Sequence, residues 1–488
     1  MTKEEQVENE IATIFAHLNV EEKKLIEQHI KSKQRGLHAI AMYIKSKYEI
    51  ITIGEHEREM YVYMDGYYRP AENLIVYPEI QRIMQFYATN SAKREIFGKI
   101  ADMTQEEREI FEQCDVRYIN LLNGVYDRTE KKLLPHDPKY KFRYVFPVTY
   151  KVDGECPKTE AFLDQVLTED QRKTVEEWVG YMFLRDYRYK KAVIIVGEGD
   201  TGKTTLLEVI TNLIGKENIS SVSLHKLAMD KFAAAHMYEK HANIWDELSA
   251  KDIGDTGAFK MATGGGTITG EYKFGNQFSF NNYAKLTFAC NRIPDVNDFS
   301  DEAYFNRWMV IRFEKTIEKR IPNFVQTLTT DDERSGLFLL AMRGLDRLLA
   351  NGGFTYANTA IDTKLEMMRN GSSIARFVKE GIYRDNGNTV TNEQLYKAYE
   401  KFCETHGLDL ETKTMLSNKL PFYASYIVKA QVYDGNAYNP TQVRGWRNVN
   451  IVLSDEEVEE KNKMDNWMDD TAKAISSHAA SVIIKPSE

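Results

Sequence analysis

The stretch Lys191–Gly215, KAVIIVGEGDTGKTTLLEVITNLIG, decides the fold of this chain. Its apolar beginning, Ala192–Val196, predicts a buried parallel strand, and the residues after the glycine-rich turn predict a helix. The turn fits the pattern G-x-x-x-x-G-K-[ST], which between a strand and a helix is typical of a loop that binds nucleotide phosphates. The apolar face of the predicted helix consists of Leu206, Leu207, Val209, Ile210 and Leu213.

Each residue type in the turn has a chemical reason. Gly197, Gly199 and Gly202 let the backbone turn tightly, so that its N–H groups and the helix start face an anion. The Lys203 ammonium is expected to reach the β- and γ-phosphates, and the Thr204 hydroxyl is a hard oxygen ligand for Mg²⁺. The alternative is a chance glycine turn. We expect ATP and Mg²⁺ as cofactors, with nucleotide contacts from Gly197, Glu198, Gly199, Asp200, Thr201, Gly202, Lys203, Thr204 and Thr205.

Composition sets the bounds on the rest of the chain. A length of 488 residues suggests about three domains. The four cysteines lack C-x-x-C spacing, which argues against a zinc site or a disulfide framework and fits a reducing compartment. No apolar run approaches the roughly 20 residues that span a bilayer, so we expect a cytoplasmic protein with no membrane partner. The net charge of −9 does not exclude nucleic acid, which needs only a local basic surface.

The pattern along the chain divides it into regions. An Asp65-Gly66 turn between aromatic residues predicts a hairpin in the N-terminal part. The tail holds nine acidic and four basic residues, and we expect a surface helix or disorder there. The predicted regions are an α+β region at 1–115, a second domain at 116–185, an α/β core at 186–350, a C-terminal domain at 371–452 and an acidic tail at 453–488. Within 371–452 we expect three helices, followed by strands around turns at Asp434-Gly435 and Asn439-Pro440.

An acidic pair follows the next apolar strand, HANIWDEL. Mg²⁺ keeps several waters and needs a nearby carboxylate, which is the natural role of Asp246. Glu247 is then placed to orient or deprotonate the attacking water. Acidic pairs are common on surfaces, so the pair alone is a weak signal. Its position after the phosphate loop and at a strand end makes it a strong signal for a catalytic metal site.

Two further polar residues stand at the ends of predicted strands. Asn291 ends LTFACN, where its amide is suited to both the γ-phosphate and the water; the alternative is an Asn that merely terminates a strand. Arg307 precedes the strand WMVIRF, and a guanidinium suits the charge that develops on the γ-phosphoryl group. The competing interpretation of Arg307 is a surface salt bridge.

Glycines bracket a predicted hairpin in FKMATGGGTITGEYKFGNQFSF. Lys260 lies before it and Lys273 lies near its tip. Such a projection can place Lys273 against DNA phosphates without reading base sequence. A hairpin that packs only on its own subunit is the alternative.

The ordered set GEGDTGKT, NIWDE, KMATGGGTITGEYKF, LTFACN and FNRW resembles superfamily 3 helicases of the poxvirus and phage/plasmid primase-helicase type. The resemblance covers roughly residues 60 to 452, because INLLNGVYD and LLPHDPKY are similar to the domain before the ATPase. VTNEQLYKAYEKFCETHGL is similar to the family's C-terminal winged helix. The implied fold class is α/β, an AAA+-like P-loop NTPase core flanked by an α+β N-terminal region and a C-terminal winged-helix domain.

The resemblance also implies function. It implies a replicative, ATP-dependent DNA helicase of a phage, plasmid or other mobile element, built as a hexameric homo-oligomer around single-stranded DNA in a central channel. Lys203 and Thr204 would bind phosphate and Mg²⁺, and Arg307 would reach the ATP of the neighbouring subunit. Asp246 would bind the metal, Glu247 the catalytic water, Asn291 would be the sensor and Lys273 the channel contact, although GEYKF is less basic than is common there.

Two questions remain open from the sequence. The chain lacks a predicted primase domain, because its one candidate acidic cluster, Glu55-His56-Glu57, lies in a polar turn; we therefore expect a separate primase or polymerase as partner. Lys413 and Lys419 lie on the candidate recognition helix and suit origin duplex DNA, although winged helices also bind proteins. The alternative functions are an origin-binding initiator and an ATPase switch, both with little unwinding.

Overall fold

The structure is a computed structural model that describes residues 13–54, 58–112, 115–248, 256–273, 275–293, 301–317, 321–433 and 441–452. The acidic tail, the turns at Asp434-Gly435 and Asn439-Pro440, and Glu55–Glu57 lie outside the described residues. The described residues separate into two compact units: those within 13–246, 258–289 and 311–357 form one, and those within 247–257, 290–310 and 358–452 form the other. No helix in this described part is long and apolar enough to cross a membrane.

The N-terminal part packs helices on a small antiparallel sheet in the order β1-β2-β3. Asn19 caps the first helix in a reciprocal capping box with Glu22. Met64 pairs with Tyr67, so the predicted hairpin around Asp65-Gly66 is confirmed. The elements are α1 (Val20–Lys31), α2 (Lys33–Lys47), β1 (Ile50–Ile53), β2 (Glu59–Met64), β3 (Tyr67–Pro70), α3 (Tyr77–Met84) and α4 (Asn90–Met103).

A second antiparallel sheet, β4-β5-β6, follows. Its strands are β4 (Tyr118–Leu121), β5 (Gly124–Asp127) and β6 (Lys132–Leu134). The Tyr68 N–H donates to the Phe142 carbonyl at 2.7 Å. The Asn120 amide donates to the Gly66 carbonyl at 3.1 Å. Hydrogen bonds therefore join residues on the two sides of the predicted domain boundary at 115/116.

The α/β core contains a five-stranded sheet in the order β13 (Trp308–Arg312), β7 (Ala192–Val196), β12 (Lys285–Cys290), β9 (Ala242–Trp245) and β8 (Ile219–Ser220). The pairs β12–β9 and β8–β9 are parallel, and β7 and β12 are buried along their whole length. Burial on both faces is why β7 is a continuous apolar run in the sequence. The mixed α/β core expected from the sequence is confirmed.

The elements of this core begin with α5 (Pro157–Val166), α6 (Glu169–Met182), β7 (Ala192–Val196), α7 (Lys203–Ile214), β8 (Ile219–Ser220), α8 (Leu224–Met229), β9 (Ala242–Trp245) and α9 (Gly257–Ala262). They continue with β10 (Thr267–Glu271), β11 (Gln277–Asn281), β12 (Lys285–Cys290), α10 (Glu302–Phe305), β13 (Trp308–Arg312), α11 (Phe324–Leu328) and α12 (Asp331–Asn351). Helices α6 and α12 pack closely because Gly180 and Gly344 lack side chains: a Cβ on Gly180 would lie 2.2 Å from the Ala341 carbonyl oxygen.

The C-terminal region is built from α13 (Ala360–Gly371), α14 (Ser373–Glu380), β14 (Ile382–Thr391), α15 (Asn392–His406), α16 (Lys413–Tyr423), β15 (Val428–Tyr433) and β16 (Gln442–Ile451). The three strands form an antiparallel sheet in the order β14-β16-β15. Its core includes Trp446, Tyr399 and Leu420.

The predicted order of three helices followed by strands is wrong, because β14 lies between α14 and α15. The sequence of β14, IYRDNGNTVT, carries turn residues at its middle, where the register with β16 shifts between Arg384 and Thr389. Helix α13 also occupies most of the stretch that the prediction left between 350 and 371. Its signal was available, since Thr359 and Asp362 form a capping box.

Candidate functional site

The loop between β7 and α7 is a tight turn with two residues in the left-handed region. Asp200 and Gly202 adopt positive φ angles of 60° and 97°. Thr201 is buried, and its hydroxyl donates to the Glu198 carbonyl at 3.0 Å, which closes the turn. Helix α7 begins directly at Lys203, so the positive end of its dipole and its first N–H groups, including that of Thr205, lie at the loop.

Packing requires a glycine at 197, and a positive φ together with close side chains favours one at 202. A Cβ on Gly197 would lie 2.4 Å from the Phe313 carbonyl oxygen, and one on Gly202 would lie 3.2 Å from the Phe162 ring. A Cβ on Gly199 would meet nothing within 4 Å. The loop is therefore tight at its two ends and open at its centre, where Glu198, Gly199 and Asp200 are exposed.

The Lys203 side chain turns back into the loop that precedes it. Its ammonium donates to the carbonyls of Gly197 and Glu198, both at 2.6 Å. The residue is buried, with 8% of its surface exposed. A buried ammonium inside a glycine-rich turn is a preorganised positive charge for a phosphate group.

Helix α7 and strand β9 bring two oxygen ligands together. The Thr204 hydroxyl donates to an Asp246 carboxylate oxygen at 3.3 Å, and both side chains are exposed. A hydroxyl beside a carboxylate is an oxygen set that suits Mg²⁺ with its remaining waters. Asp246, which was predicted from a separate motif, therefore lies beside the loop that contains Lys203 and Thr204.

A segment after β13 also borders the loop and was not predicted. The Phe313 N–H donates to the Val196 carbonyl, and the Ile317 N–H donates to the Asp200 carbonyl, both at 2.8 Å. Ile317 also lies against the position that a side chain on Gly202 would take. The sequence predicted the strand before this segment but carried no signal for these contacts, which join residues more than a hundred positions apart.

The remaining predicted catalytic residues have the local positions expected. Glu247 directly follows Asp246 and is exposed, and Asn291 directly follows the buried strand β12. Arg307 lies between α10 and β13, where its guanidinium donates to the Ala303 carbonyl at 2.6 Å. All three belong to the second compact unit, and their catalytic roles stay predictions.

The glycine-bracketed hairpin is confirmed as an element. Strands β10 and β11 are antiparallel, with Glu271 paired with Gln277, and Lys273 lies exposed in the turn between them. A hydrogen bond from Gln277 and another from the Lys231 ammonium hold the pKa of Glu271 below its usual range. Lys260 is half-buried on α9. Contact of either lysine with DNA stays a prediction.

The two lysines predicted on the recognition helix lie on α16. The Lys413 ammonium donates to the Glu393 carboxylate at 2.7 Å and lies over the Tyr396 ring at 5.1 Å. The hydrogen bond to Glu393 raises the pKa of Lys413. Lys413 thus engages a carboxylate that a phosphate would have to replace. Lys419 lies on the same helix, and the role of both in DNA binding stays a prediction.

Comparison with known families follows this geometry. Residues 19–168 match the family described as "D5 N terminal like". This match fits a D5-like primase-helicase family. Residues 195–307 match a "Family of unknown function (DUF5906)", and this range contains the loop, the acidic pair, the hairpin and Arg307.

Solved structures are similar over most of the chain. "The A form apo structure of NrS-1 C terminal region-CTR" is 13% identical and covers 84% of this chain and 98% of its own, with a TM-score of 0.45. "The apo structure of NrS-1 C terminal region (305-718)" is 14% identical with the same coverage and a TM-score of 0.43. TM-scores at this level do not establish a shared fold.

Proposed function

We propose that this protein is an ATP-dependent DNA helicase of a replication system. The observation that carries the proposal is the meeting of Lys203, Thr204 and Asp246 around the glycine-rich loop after β7. The D5 N terminal like match supports a primase-helicase-type replication protein, and the ordered motifs of the sequence narrow the proposal to superfamily 3.

The residues of the loop fit ATP with Mg²⁺. Gly197 and Gly202 let the loop pack against Phe313 and Phe162, and carbonyls of the loop hold the Lys203 ammonium. Lys203 and the first turn of α7 would hold the phosphates, while Thr204 and Asp246 would hold the metal. Mg²⁺ would neutralise phosphate charge, and Glu247 would orient or deprotonate the attacking water.

The proposed assembly is a hexameric ring. Asn291 would sense the γ-phosphate, and Arg307 would act on the ATP of the neighbouring subunit, so that a lone subunit would be a poor ATPase. Single-stranded DNA would pass through the channel beside Lys273, with Lys260 at the base of the hairpin. The helices and sheet of residues 371–452 would form the winged helix, with Lys413 and Lys419 directed to duplex DNA or a protein.

The test is ATP hydrolysis and forked-DNA unwinding by the purified full chain. We expect Lys203→Ala to lower turnover at least ~100-fold, as the loss of a preorganised charge at a reacting phosphate does. Lys45→Ala, on the exposed face of α2, is the matched lysine control and should keep wild-type turnover. Arg307→Ala should also be inactive.

Mixing the two inactive variants tests the shared active site. Lys203→Ala subunits would supply Arg307 to neighbours that retain Lys203, so partial recovery of turnover is expected in mixed rings. Full activity of Arg307→Ala alone would contradict a site shared between subunits. If single-stranded DNA did not change ATP turnover and the protein separated no strands, the result would favour an ATPase switch over a helicase.

A further inference from the structure

Tyr238 lies where the hairpin meets the N-terminal region. It follows the short helical turn Ala234–Met237 and is half-buried. Its ring contacts Phe278 and Phe280 of β11 edge-on, with ring centroids 5.2 Å apart in both pairs. Edge-to-face packing of this kind contributes beyond the buried area alone, so Tyr238 is an anchor of the hairpin.

The hydroxyl of Tyr238 contacts two arginines that lie earlier in the chain. It accepts hydrogen bonds from Arg143 at 3.1 Å and from Arg108 at 3.3 Å. Arg108 in turn donates to the Glu59 carboxylate of β2 at 2.6 Å. Tyr238 therefore joins the hairpin to residues that precede it by about a hundred positions or more.

Arg143 is held tightly on the N-terminal side. Its guanidinium lies 4.8 Å from the ring centre of Phe111 and 4.9 Å from that of Tyr61. It donates to the Tyr61 hydroxyl at 2.9 Å and pairs with Glu239, and its side chain is only 9% exposed. A guanidinium desolvated to this degree needs its hydrogen-bond partners, including the Tyr238 hydroxyl.

Two further contacts hold the hairpin against the turn that precedes Tyr238. A Cβ on Gly270 would lie 3.1 Å from the Ala235 Cα, which shows how closely β10 approaches the turn before Tyr238. The Tyr272 hydroxyl donates to the Ala235 carbonyl at 3.1 Å. Lys273 follows Tyr272 directly, so the segment that ends in Tyr238 sets the base from which Lys273 projects.

We propose that Tyr238 is a positioning residue that couples the Lys273 hairpin to the N-terminal region through Arg143 and Arg108. The inference rests on the proposed function, since it assigns the N-terminal region a part in single-stranded DNA binding at the hairpin. In this proposal Tyr238 acts through the orientation of the hairpin.

Hydrogen–deuterium exchange tests the coupling without any activity. Tyr238→Phe keeps the ring on Phe278 and Phe280 but removes the one acceptor that Arg143 and Arg108 share. We expect amide exchange in 267–281 to become about 3- to 10-fold faster, the effect of one lost hydrogen bond, with exchange in α7 unchanged. Tyr433→Phe, at a site 62% exposed, is the control. Unchanged exchange in the hairpin would overturn the proposal.

Single-stranded DNA stimulation of ATP turnover tests its consequence. Tyr238→Phe should raise the half-stimulating DNA concentration about 3- to 10-fold with unchanged turnover in the absence of DNA. Added to Lys273→Ala it should cause no further loss, because both act through one contact. Independent, additive losses would overturn the coupling. A wild-type protein without DNA stimulation would contradict the proposed function instead, and the exchange result would still decide the role of Tyr238.

Discussion

The strand–loop–helix segment at 192–214 and the C-terminal sheet differ in how their sequence relates to their structure. All five residues of β7 are buried, whereas only three of the ten residues of β14 are buried. The first strand is an uninterrupted apolar run; the second contains Arg-Asp-Asn-Gly-Asn at its centre. A strand covered on both faces must be apolar, while an edge strand with one covered face can carry turn residues and a bulge.

The comparison also concerns glycines, which are fixed by different forces in the two regions. Gly197 is fixed by packing, since the Phe313 carbonyl lies where its Cβ would be. Gly387 in β14 has open space around it but a φ of 92°. The same residue type therefore serves close approach in the core and a left-handed backbone in the C-terminal sheet.

The largest stability effect should come from the core. Gly197→Ala should destabilise the protein by about 1–3 kcal/mol, because the added Cβ must displace the backbone of Phe313. Gly199→Ala, two positions away in open space, is the matched control and should change stability by less than about 1 kcal/mol. Thermal unfolding midpoints of the two variants check this difference. Equal midpoints would mean that the loop shifts to accommodate the added Cβ and that packing does not require a glycine at position 197.

The next effect, taken per pH unit, concerns Lys285, the first residue of strand β12. Its ammonium donates to the carbonyls of Leu184 and Tyr283 and lies 4.4 Å from the centre of the Tyr181 ring. Burial lowers the pKa of Lys285 to about 7, against the opposing effect of the Asp186 carboxylate. Lys285 is therefore easier to deprotonate in the folded state than in the unfolded chain.

Stability should therefore rise with pH above neutrality. Between about pH 7 and about pH 10 the unfolded chain keeps the Lys285 proton and the folded protein does not, so raising the pH favours folding, by at most about 1.4 kcal/mol per pH unit. Below about pH 7 the lysine is charged in both states and adds no slope. Urea unfolding midpoints across this range test the effect. An identical slope in Lys285→Met would assign it to other groups.

The smallest effect should come from the C-terminal sheet. Gly387→Ala should cost about 1 kcal/mol through its positive φ alone, since no atom blocks the new Cβ. Gly353→Ala, also in open space but without a positive φ, is the control. Hydrogen exchange of β14 and β16 amides gives the local readout. If Gly387→Ala lowered the free energy of unfolding as much as Gly197→Ala does, packing and positive φ would not differ in their effect on stability.

The sequence predicted much of the site because its signals are local. The strand, the glycine turn and the helix at 192–214 are contiguous, and the acidic pair and the hairpin each follow their own short pattern. The prediction missed β14 because turn residues at its centre hid the extended backbone. It also missed α13, although the sequence contains its capping box. The roles of Glu247, Asn291, Arg307 and the DNA-facing lysines stay predictions.

By itself the sequence determined the α/β core and the strand–turn–helix order around the loop, because periodic burial and glycine spacing act over a few residues. Only the tertiary structure decided which distant groups share a surface. It placed Asp246 beside Thr204, the 313–317 segment beside the loop, and Arg143 on Tyr238. Such contacts form after the chain has packed, and they depend on orientations that no stretch of a few residues encodes.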